Sequence, residues 1–255
     1  MGQKEKVVFH IGSCVFIAIL ALPSEARPLL RLAANYWEPY TGNSLVNNGI
    51  ASEIVVTALN RAGYDVTIDI MPWKRVLAMT YNGSVDGVVA IWSTKERDSK
   101  LLFSSSYMSN ELVLLYMPGV VREPKSLEEL TGLTVGIGSG YDYSDEFLRH
   151  KNFKTEPVSN VIQNLLKLTI GRVDMVLEDR LIAKFAIKKY SINNKVLSRI
   201  VFSEKPIMYT PVYFAINPNV PNSRKIISEF NYQILTMRKD GTLIKILSNA
   251  ALALP

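Results

Sequence analysis

Cysteine and histidine are scarce in this sequence of 255 residues. It contains one cysteine, Cys14, and two histidines, His10 and His150. Cys14 and His10 lie in an N-terminal segment that we expect to be removed, which would leave His150 alone. Thiol catalysis, disulfide bonds, thiolate metal sites and a histidine metal cluster are then excluded. We therefore expect no metal and no cofactor.

No run of basic residues accompanies the net charge of +6. The 29 lysines and arginines are scattered among 23 acidic residues, and no basic stretch is interleaved with aromatic residues. A scattered excess of this size indicates a mildly basic surface. We therefore expect no nucleic-acid partner.

The N-terminal apolar run, residues 7–22, is short for a membrane-spanning helix and is interrupted by Gly12 and Ser13. It follows a short basic head and precedes small residues that end at Ala26. This order is typical of a secretory signal peptide. We predict cleavage after Ala26 and a periplasmic location. A retained signal anchor and a lipid attached at Cys14 are the alternatives.

After residue 27, short apolar strands alternate with amphipathic helices, the pattern of layered α/β folds. We predict one lobe over residues 27–117, a second over 118–210, and a return to the first lobe over 211–255. Each lobe would be a mixed sheet flanked by helices. Two connecting strands would form a hinge beside a cleft, a favoured place for small ligands.

The strands that we predict cover residues 30–36, 66–71, 86–92, 111–117, 133–137, 173–178 and 211–217. The helices that we predict cover residues 51–62, 73–81, 143–150, 160–170, 179–190, 222–239 and 242–250, with a short helix opened by a capping box at residues 126–129.

Five motifs recur in a fixed order along residues 28–250. They are YWEPY at 36–40 with GIASEI at 49–54; GSVDG at 83–87; STKER at 93–97 with Phe103, Ser104 and Tyr107; LTVGIGSG at 133–140 with GRVD at 171–174 and ED at 178–179; and KDGT at 239–242. Together they resemble the family 3 extracellular solute-binding proteins. That resemblance implies a two-lobed type II periplasmic-binding-protein fold and a role in amino-acid uptake through ABC importers.

Arg97 is the first candidate for ligand binding. A guanidinium presents a planar fork of donors that meets a carboxylate in two parallel hydrogen bonds. Thr94 follows a predicted strand and is expected to open a helical turn that carries Arg97. The residues alone leave open a surface ion pair with Glu96 or Asp98. The resemblance implies that Arg97 binds the ligand's α-carboxylate.

Asp179 lies where a predicted strand ends and a helix begins. Asp is a favoured N-cap because its carboxylate accepts backbone N–H groups. The resemblance implies that Asp179 also binds the ligand's ammonium group. If the register differs by one residue, Glu178 would take that role.

The resemblance implies an aromatic wall over the ligand side chain in the loop after the first strand, with Tyr36 and Trp37 as the candidate residues. Aromatic faces pack apolar groups and attract cations. We place Trp37 on the ligand and Tyr36 in the core of the lobe. Trp92 would fill the cleft or stack on the ligand. Trp73 and Ala90 complete this first-lobe wall.

The second-lobe wall is predicted to contain Ser139, Gly140, Tyr141 and Asp142. Backbone N–H groups here, at a helix start, could hold a carboxylate; the glycines lack the full dinucleotide-binding pattern. An acid at position 142 is awkward beside an anion, so Asp142 would cap the helix or meet a cationic part of the ligand. Arg75 is either a second anion contact or a solvated residue.

These features favour a periplasmic, monomeric solute-binding protein with no catalytic residues. It would hold an amino acid or related amphoteric solute between two lobes and deliver it to an ABC permease. A ligand-sensing module of a membrane receptor would use the same binding chemistry. A dehydratase-like enzyme on the same fold is a further alternative, but no nucleophile–base pair and no cleft histidine can be placed.

Overall fold

The computed structural model of the protein describes residue 2 and residues 26–253. The predicted signal peptide lies almost wholly outside the described residues. No helix among the described residues is long and apolar enough to cross a membrane.

The described residues form ten β-strands and eight α-helices. The strands are β1 (Leu29–Ala34), β2 (Asp65–Ile70), β3 (Gly87–Ile91), β4 (Leu102–Phe103), β5 (Met108–Tyr116), β6 (Thr134–Gly138), β7 (Lys154–Val158), β8 (Met175–Asp179), β9 (Val201–Phe202) and β10 (Met208–Ile216). The helices are α1 (Ile50–Arg61), α2 (Trp73–Tyr81), α3 (Lys95–Asp98), α4 (Asp145–Arg149), α5 (Val161–Thr169), α6 (Arg180–Ser191), α7 (Ser223–Lys239) and α8 (Thr242–Ala253).

The strands form a curled mixed sheet in the order β2-β1-β3-β10-β5-β8-β6-β7. At one end β1 runs parallel to β2 and β3, and at the other β6 runs parallel to β7 and β8. Strands β5 and β10 run antiparallel to their neighbours between these two ends. Parallel strands joined by helices at both ends confirm the predicted α/β class.

Two strands connect the two ends of the sheet. Residues 208–212 of β10 pair with β5, and residues 213–216 pair with β3. Residues 108–112 of β5 pair with β10, and its later residues pair with β8. We call β1–β4 with α1–α3, α7 and α8 the first lobe, and β6–β9 with α4–α6 the second lobe. The predicted lobe boundaries, after residues 117 and 210, fall next to β5 and within β10.

Burial along the strands follows their position in the sheet. Every residue of β3, a continuous apolar run, is buried, as expected for a strand covered on both faces. The residues of β2, at one edge of the sheet, alternate between exposed and half-buried, because successive side chains of a strand point to opposite faces. The cores of the lobes therefore lie between the central strands and the helices packed against them.

Three strands were missing from the prediction: the two-residue strands β4 and β9, and the longer β7. β7 has the sequence KTEPV and forms the other edge of the sheet. Its proline and charged residues resemble a loop in sequence, but an edge strand tolerates both because one side needs no pairing. The predicted capping-box helix at residues 126–129 is only a single 3₁₀ turn, Glu128–Leu130.

Candidate functional site

A cavity of about 740 Å³ lies between the two lobes. Its first-lobe wall comes from the segment after β1, the start of α2 and the end of β3. Its second-lobe wall comes from the segments after β6 and β7 and from α6. All three tryptophans of the chain, Trp37, Trp73 and Trp92, line it. The size and the aromatic lining suit a small organic ligand.

Most of the predicted site residues lie together on this cavity. The predicted residues that line it are Tyr36, Trp37, Trp73, Ala90, Trp92, Arg97, Ser139, Gly140 and Tyr141. Asp142 and Asp179 are not among the described lining residues. Each of them instead bonds to a residue of the first lobe.

Arg97 is held in place by the first lobe. Thr94 is the N-cap of α3 and accepts the N–H of Arg97, which confirms the predicted helical turn. Nη1 of Arg97 donates to the Trp92 carbonyl over 2.9 Å, and the guanidinium lies 5.2 Å from the centre of the Trp73 ring. Its side chain is 10% exposed. A cation fixed at the wall in this way can receive an anion from the cleft.

Asp142 of the second lobe meets this cation. Its Oδ2 lies 2.6 Å from Nη2 of Arg97, and its side chain is 46% exposed. The helix-cap role that we considered for Asp142 is wrong, because Ser144 is the N-cap of α4. Asp142 therefore occupies a face of Arg97 that a ligand carboxylate could use.

The predicted alternative of a surface ion pair for Arg97 is also wrong. Glu96 pairs with Lys100 over 2.7 Å, and the carboxylate of Asp98 accepts the Ser93 hydroxyl. Arg97 pairs across the cleft with Asp142 and not with either of these acids.

Asp179 is the N-cap of α6, as predicted. Its Oδ1 accepts the N–H groups of Leu181 and Ile182 over 2.9 and 3.0 Å. Its Oδ2 accepts the amide of Asn110 over 3.0 Å and the N–H of Glu111 over 3.2 Å. The residue is 1% exposed. One carboxylate therefore joins β8, α6 and β5.

Tyr40 of the first lobe completes the set around Asp179. Its hydroxyl donates to both carboxylate oxygens, over 2.9 and 3.0 Å. Burial, and then the charge of Asp179, raise the pKa of Tyr40 well above its ordinary value, so the phenol keeps its proton. Burial raises the pKa of Asp179, while these hydrogen bonds oppose that rise. Tyr40 thus stands where a ligand ammonium could approach Asp179.

Asn110 links this set to the cavity wall. Its Oδ1 accepts Nε1 of Trp92 over 2.8 Å, while its amide nitrogen donates to Asp179. Sequence reasoning missed both Asn110 and Tyr40. Two features of the sequence could have indicated them. Asn110 is a polar residue just before the apolar run of β5, and Tyr40 is the second tyrosine of the YWEPY motif.

Glu178, the neighbour of Asp179 in β8, is 2% exposed. Its Oε1 accepts the N–H of Asp179 over 2.8 Å. Burial raises the pKa of Glu178 to about 8, so the side chain is largely neutral at pH 7. Asp179, rather than Glu178, makes the contact to the first lobe.

Two further bonds cross the cleft. Nε1 of Trp37 donates to the Tyr141 hydroxyl over 2.7 Å. Lys189 of α6 pairs with Glu38 over 2.7 Å. Burial opposes ionisation of Glu38, but the hydrogen bonds from Lys189 and Ser44 outweigh it and lower the pKa of Glu38. The lobes are therefore closed on each other in this structure. Lys189 and Glu38 line the cavity but were not predicted, because neither stands in a motif position expected to bind a ligand.

Two expectations are corrected, and of the two alternatives for Arg75 the solvated one holds. Tyr36 is 58% exposed and lies on the cavity rather than in the core, because β1 ends at Ala34. The N–H groups of Gly138 and Ser139 donate to Tyr143 and to the Val158 carbonyl, so in this structure they are not available to a ligand anion. Arg75 is exposed and is not one of the described residues that line the cavity.

The described residues contain no group of three or more histidine, cysteine, aspartate or glutamate side chains that could hold a metal ion. The charged groups on the cavity wall are Glu38, Lys74, Arg97 and Lys189. These side chains and the aromatic rings offer ionic, hydrogen-bonding and stacking contacts to a ligand.

The sequence profile of the bacterial extracellular solute-binding proteins, family 3, matches residues 33–250. The chain is 26% identical over 203 residues to the L-cystine-binding protein TcyJ of Escherichia coli (strain K12), covering 76% of this chain and 71% of that protein. It is 25% identical over 213 residues to the L-cystine-binding protein TcyA of Bacillus subtilis (strain 168), covering 82% and 76%. The fold is similar to that of an ancestral arginine-binding protein bound to arginine, with a TM-score of 0.69 and 22% identity over 88% of this chain and 98% of that one.

Proposed function

We propose that this protein, which belongs to the bacterial extracellular solute-binding proteins of family 3, captures an amino acid between its two lobes and delivers it to an ABC importer. We place it in the periplasm after cleavage following Ala26. It acts as a monomer, without catalysis and without a cofactor. The curated relatives described above support the amino-acid ligand, since both bear the name of an amino-acid-binding protein.

The observation that carries the proposal is the setting of Arg97. Its guanidinium is held by the Trp92 carbonyl and the Trp73 ring and is turned toward a carboxylate of the second lobe. A charge-assisted bond between a guanidinium and a carboxylate is among the stronger polar contacts in proteins. We propose that the α-carboxylate of the ligand binds Arg97 from the cavity.

Asp179 is proposed to receive the ammonium group. The protein already supplies donors to both of its oxygens, and one of these donors, the Tyr40 hydroxyl, comes from the opposite lobe. When the lobes separate, Tyr40 leaves Asp179, because the two residues belong to different lobes. An ammonium group of the ligand could then take the place of this hydroxyl.

The cavity favours a long amino acid over a small one. Its volume of about 740 Å³ falls in the range of sites that bind drug-sized molecules. The rings of Trp37 and Tyr141, which both contact the ring of Trp92, line the cavity together with it. Phe185 and Tyr190 of α6 also line it. Such walls pack apolar stems and attract cationic groups. L-cystine and L-arginine are therefore the first ligands to test.

The binding test uses the chain from residue 27, unfolded and refolded to remove any bound solute. Isothermal titration calorimetry with L-cystine, L-arginine and the other amino acids should give a saturable signal with at least one of them. If none of these amino acids binds, the proposed ligand class is wrong.

Arg97→Ala should weaken binding of the amino-acid hit by at least about a hundredfold, because a hydrogen-bonded carboxylate would lose its charged partner. Arg97→Lys should recover only part of the affinity, since an ammonium lacks the planar fork. The matched control is Arg224→Ala, which removes an exposed arginine of α7. Unchanged affinity in Arg97→Ala would overturn the assignment of the carboxylate site.

Uptake measurements separate transport from sensing. Deletion of the gene should abolish high-affinity uptake of the radiolabelled hit, and the intact gene should restore it. Normal uptake in the deletion strain would favour the receptor-sensing alternative. Chromatography of the ligand after long incubation with the protein should recover it unchanged, whereas a product would indicate an enzyme.

A further inference from the structure

The two partners of the ion pair between Arg97 and Asp142 differ in how exposed and how firmly held they are. Arg97 is nearly buried and is fixed by a carbonyl and a ring of its own lobe. Asp142 lies in the segment between β6 and α4, with a side chain that is 46% exposed. The anion can therefore rotate into water while the cation stays where it is.

We propose that Asp142 is a built-in competitor for the ligand carboxylate at Arg97, and that this side chain sets the affinity and the carboxylate selectivity of the site. The inference rests on the proposed function, because it assigns Arg97 to a carboxylate of the ligand. Asp142 presents to Arg97 the same chemical group that an amino acid would present. In this structure the guanidinium of Arg97 is thereby paired with a carboxylate of the protein itself.

Displacement of Asp142 has a modest cost. Half-exposed ion pairs contribute little to stability, since water screens them and solvates the released charge. A ligand carboxylate that makes two parallel bonds to the guanidinium replaces a single Nη2 contact. Once displaced, however, Asp142 remains near the incoming carboxylate and repels it. Both effects lower the affinity for carboxylate ligands.

The same contact discriminates between ligands. A solute with a carboxylate must displace Asp142, whereas an amine without a carboxylate can leave the ion pair intact. Asp142 therefore lowers the affinity of the site for ligands with a carboxylate. It does not hinder the binding of amines that lack one. Neutralising the side chain should shift selectivity toward carboxylates.

The test compares wild type, Asp142→Asn and Asp142→Ser by calorimetry with L-cystine and L-arginine. Each amino acid is compared with the amine that lacks its carboxylate: cystamine for L-cystine and agmatine for L-arginine. Asp142→Asn should bind the amino acid about tenfold more tightly. Its affinity for the matched amine should stay the same or fall. Melting curves establish that each variant is folded, and Asp142→Ser supplies a second neutral side chain.

The same comparison in the Arg97→Ala variant shows whether Asp142 acts through Arg97. If Asp142 acts by occupying Arg97, Asp142→Asn should change amino-acid affinity less than twofold once Arg97 is gone. Equal or weaker amino-acid binding by Asp142→Asn and Asp142→Ser, with wild type binding normally, overturns this inference but leaves the proposed function standing. Failure of wild type and both variants to bind any amino acid rejects the proposed function together with this inference.

Discussion

Glu178 is a buried titratable residue in β8, the strand that pairs with β5. Its ordinary pKa is 4.5, and burial raises the pKa to about 8 in the folded protein. Between these two pH values the unfolded chain releases the proton more readily than the folded protein does. The contribution of Glu178 to stability is therefore full below pH 4.5 and falls as the pH rises toward about 8.

Glu178→Gln should remove this pH dependence, because a glutamine keeps the shape of the neutral acid and does not ionise. The free energy of unfolding of the variant, relative to wild type, should rise between pH 5 and pH 8 by on the order of a few kcal/mol. Urea unfolding across that range measures the difference. Glu204→Gln, at an exposed position, is the control. Parallel profiles for wild type and Glu178→Gln would show that Glu178 does not titrate in this way.

Asp179 acts at the scale of secondary structure, because it joins three elements of the second lobe and hinge. Its oxygens accept two N–H groups at the start of α6 and two donors from β5. Ser144 caps the shorter α4 through one bond, to the N–H of Phe147. The two caps therefore differ in how many buried donors depend on them.

Asp179→Ala should lower the free energy of unfolding by about 3–5 kcal/mol, since it loses a cap and leaves buried donors without acceptors. Ser144→Ala should cost about 1 kcal/mol, because only an exposed cap is lost. Denaturant unfolding of both variants at pH 7 provides the comparison. Equal losses would mean that the buried donors find other partners.

At the scale of the whole molecule, four polar side-chain contacts among the described residues join the two lobes. They are Arg97 with Asp142, Tyr40 with Asp179, Trp37 with Tyr141, and Glu38 with Lys189. A ligand whose carboxylate binds Arg97 and whose ammonium group binds Asp179 would replace the first two contacts. Such a ligand would bridge the two lobes only when they are closed. Ligand therefore shifts the equilibrium toward the closed form.

Ligand at a hundredfold excess over its dissociation constant should stabilise the protein by about 2.7 kcal/mol, which corresponds to a rise in Tm of roughly 5–10 °C. The radius of gyration from small-angle X-ray scattering should fall in the same samples. Arg97→Ala at the same ligand concentration is the control and should show a much smaller shift. A higher Tm with an unchanged radius would mean that the lobes are already closed without ligand.

Local patterns in the sequence determined the elements and where the main charged residues lie on them. Alternating apolar segments specified the α/β class, Thr94 placed Arg97 on a turn after β3, and Asp179 was predicted at the start of α6. These features depend on neighbours within a few residues, so a single sequence contains the necessary information.

Only the tertiary structure decided what these charged groups contact. Arg97 meets Asp142, and Asp179 meets Tyr40, a residue 139 positions away in the chain. Tyr36 is on the cavity and Trp92 is tied to Asn110 for the same reason. Such partners come from separate elements or lobes, and their distances depend on how the sheet curls and how the lobes close. No local periodicity encodes that arrangement.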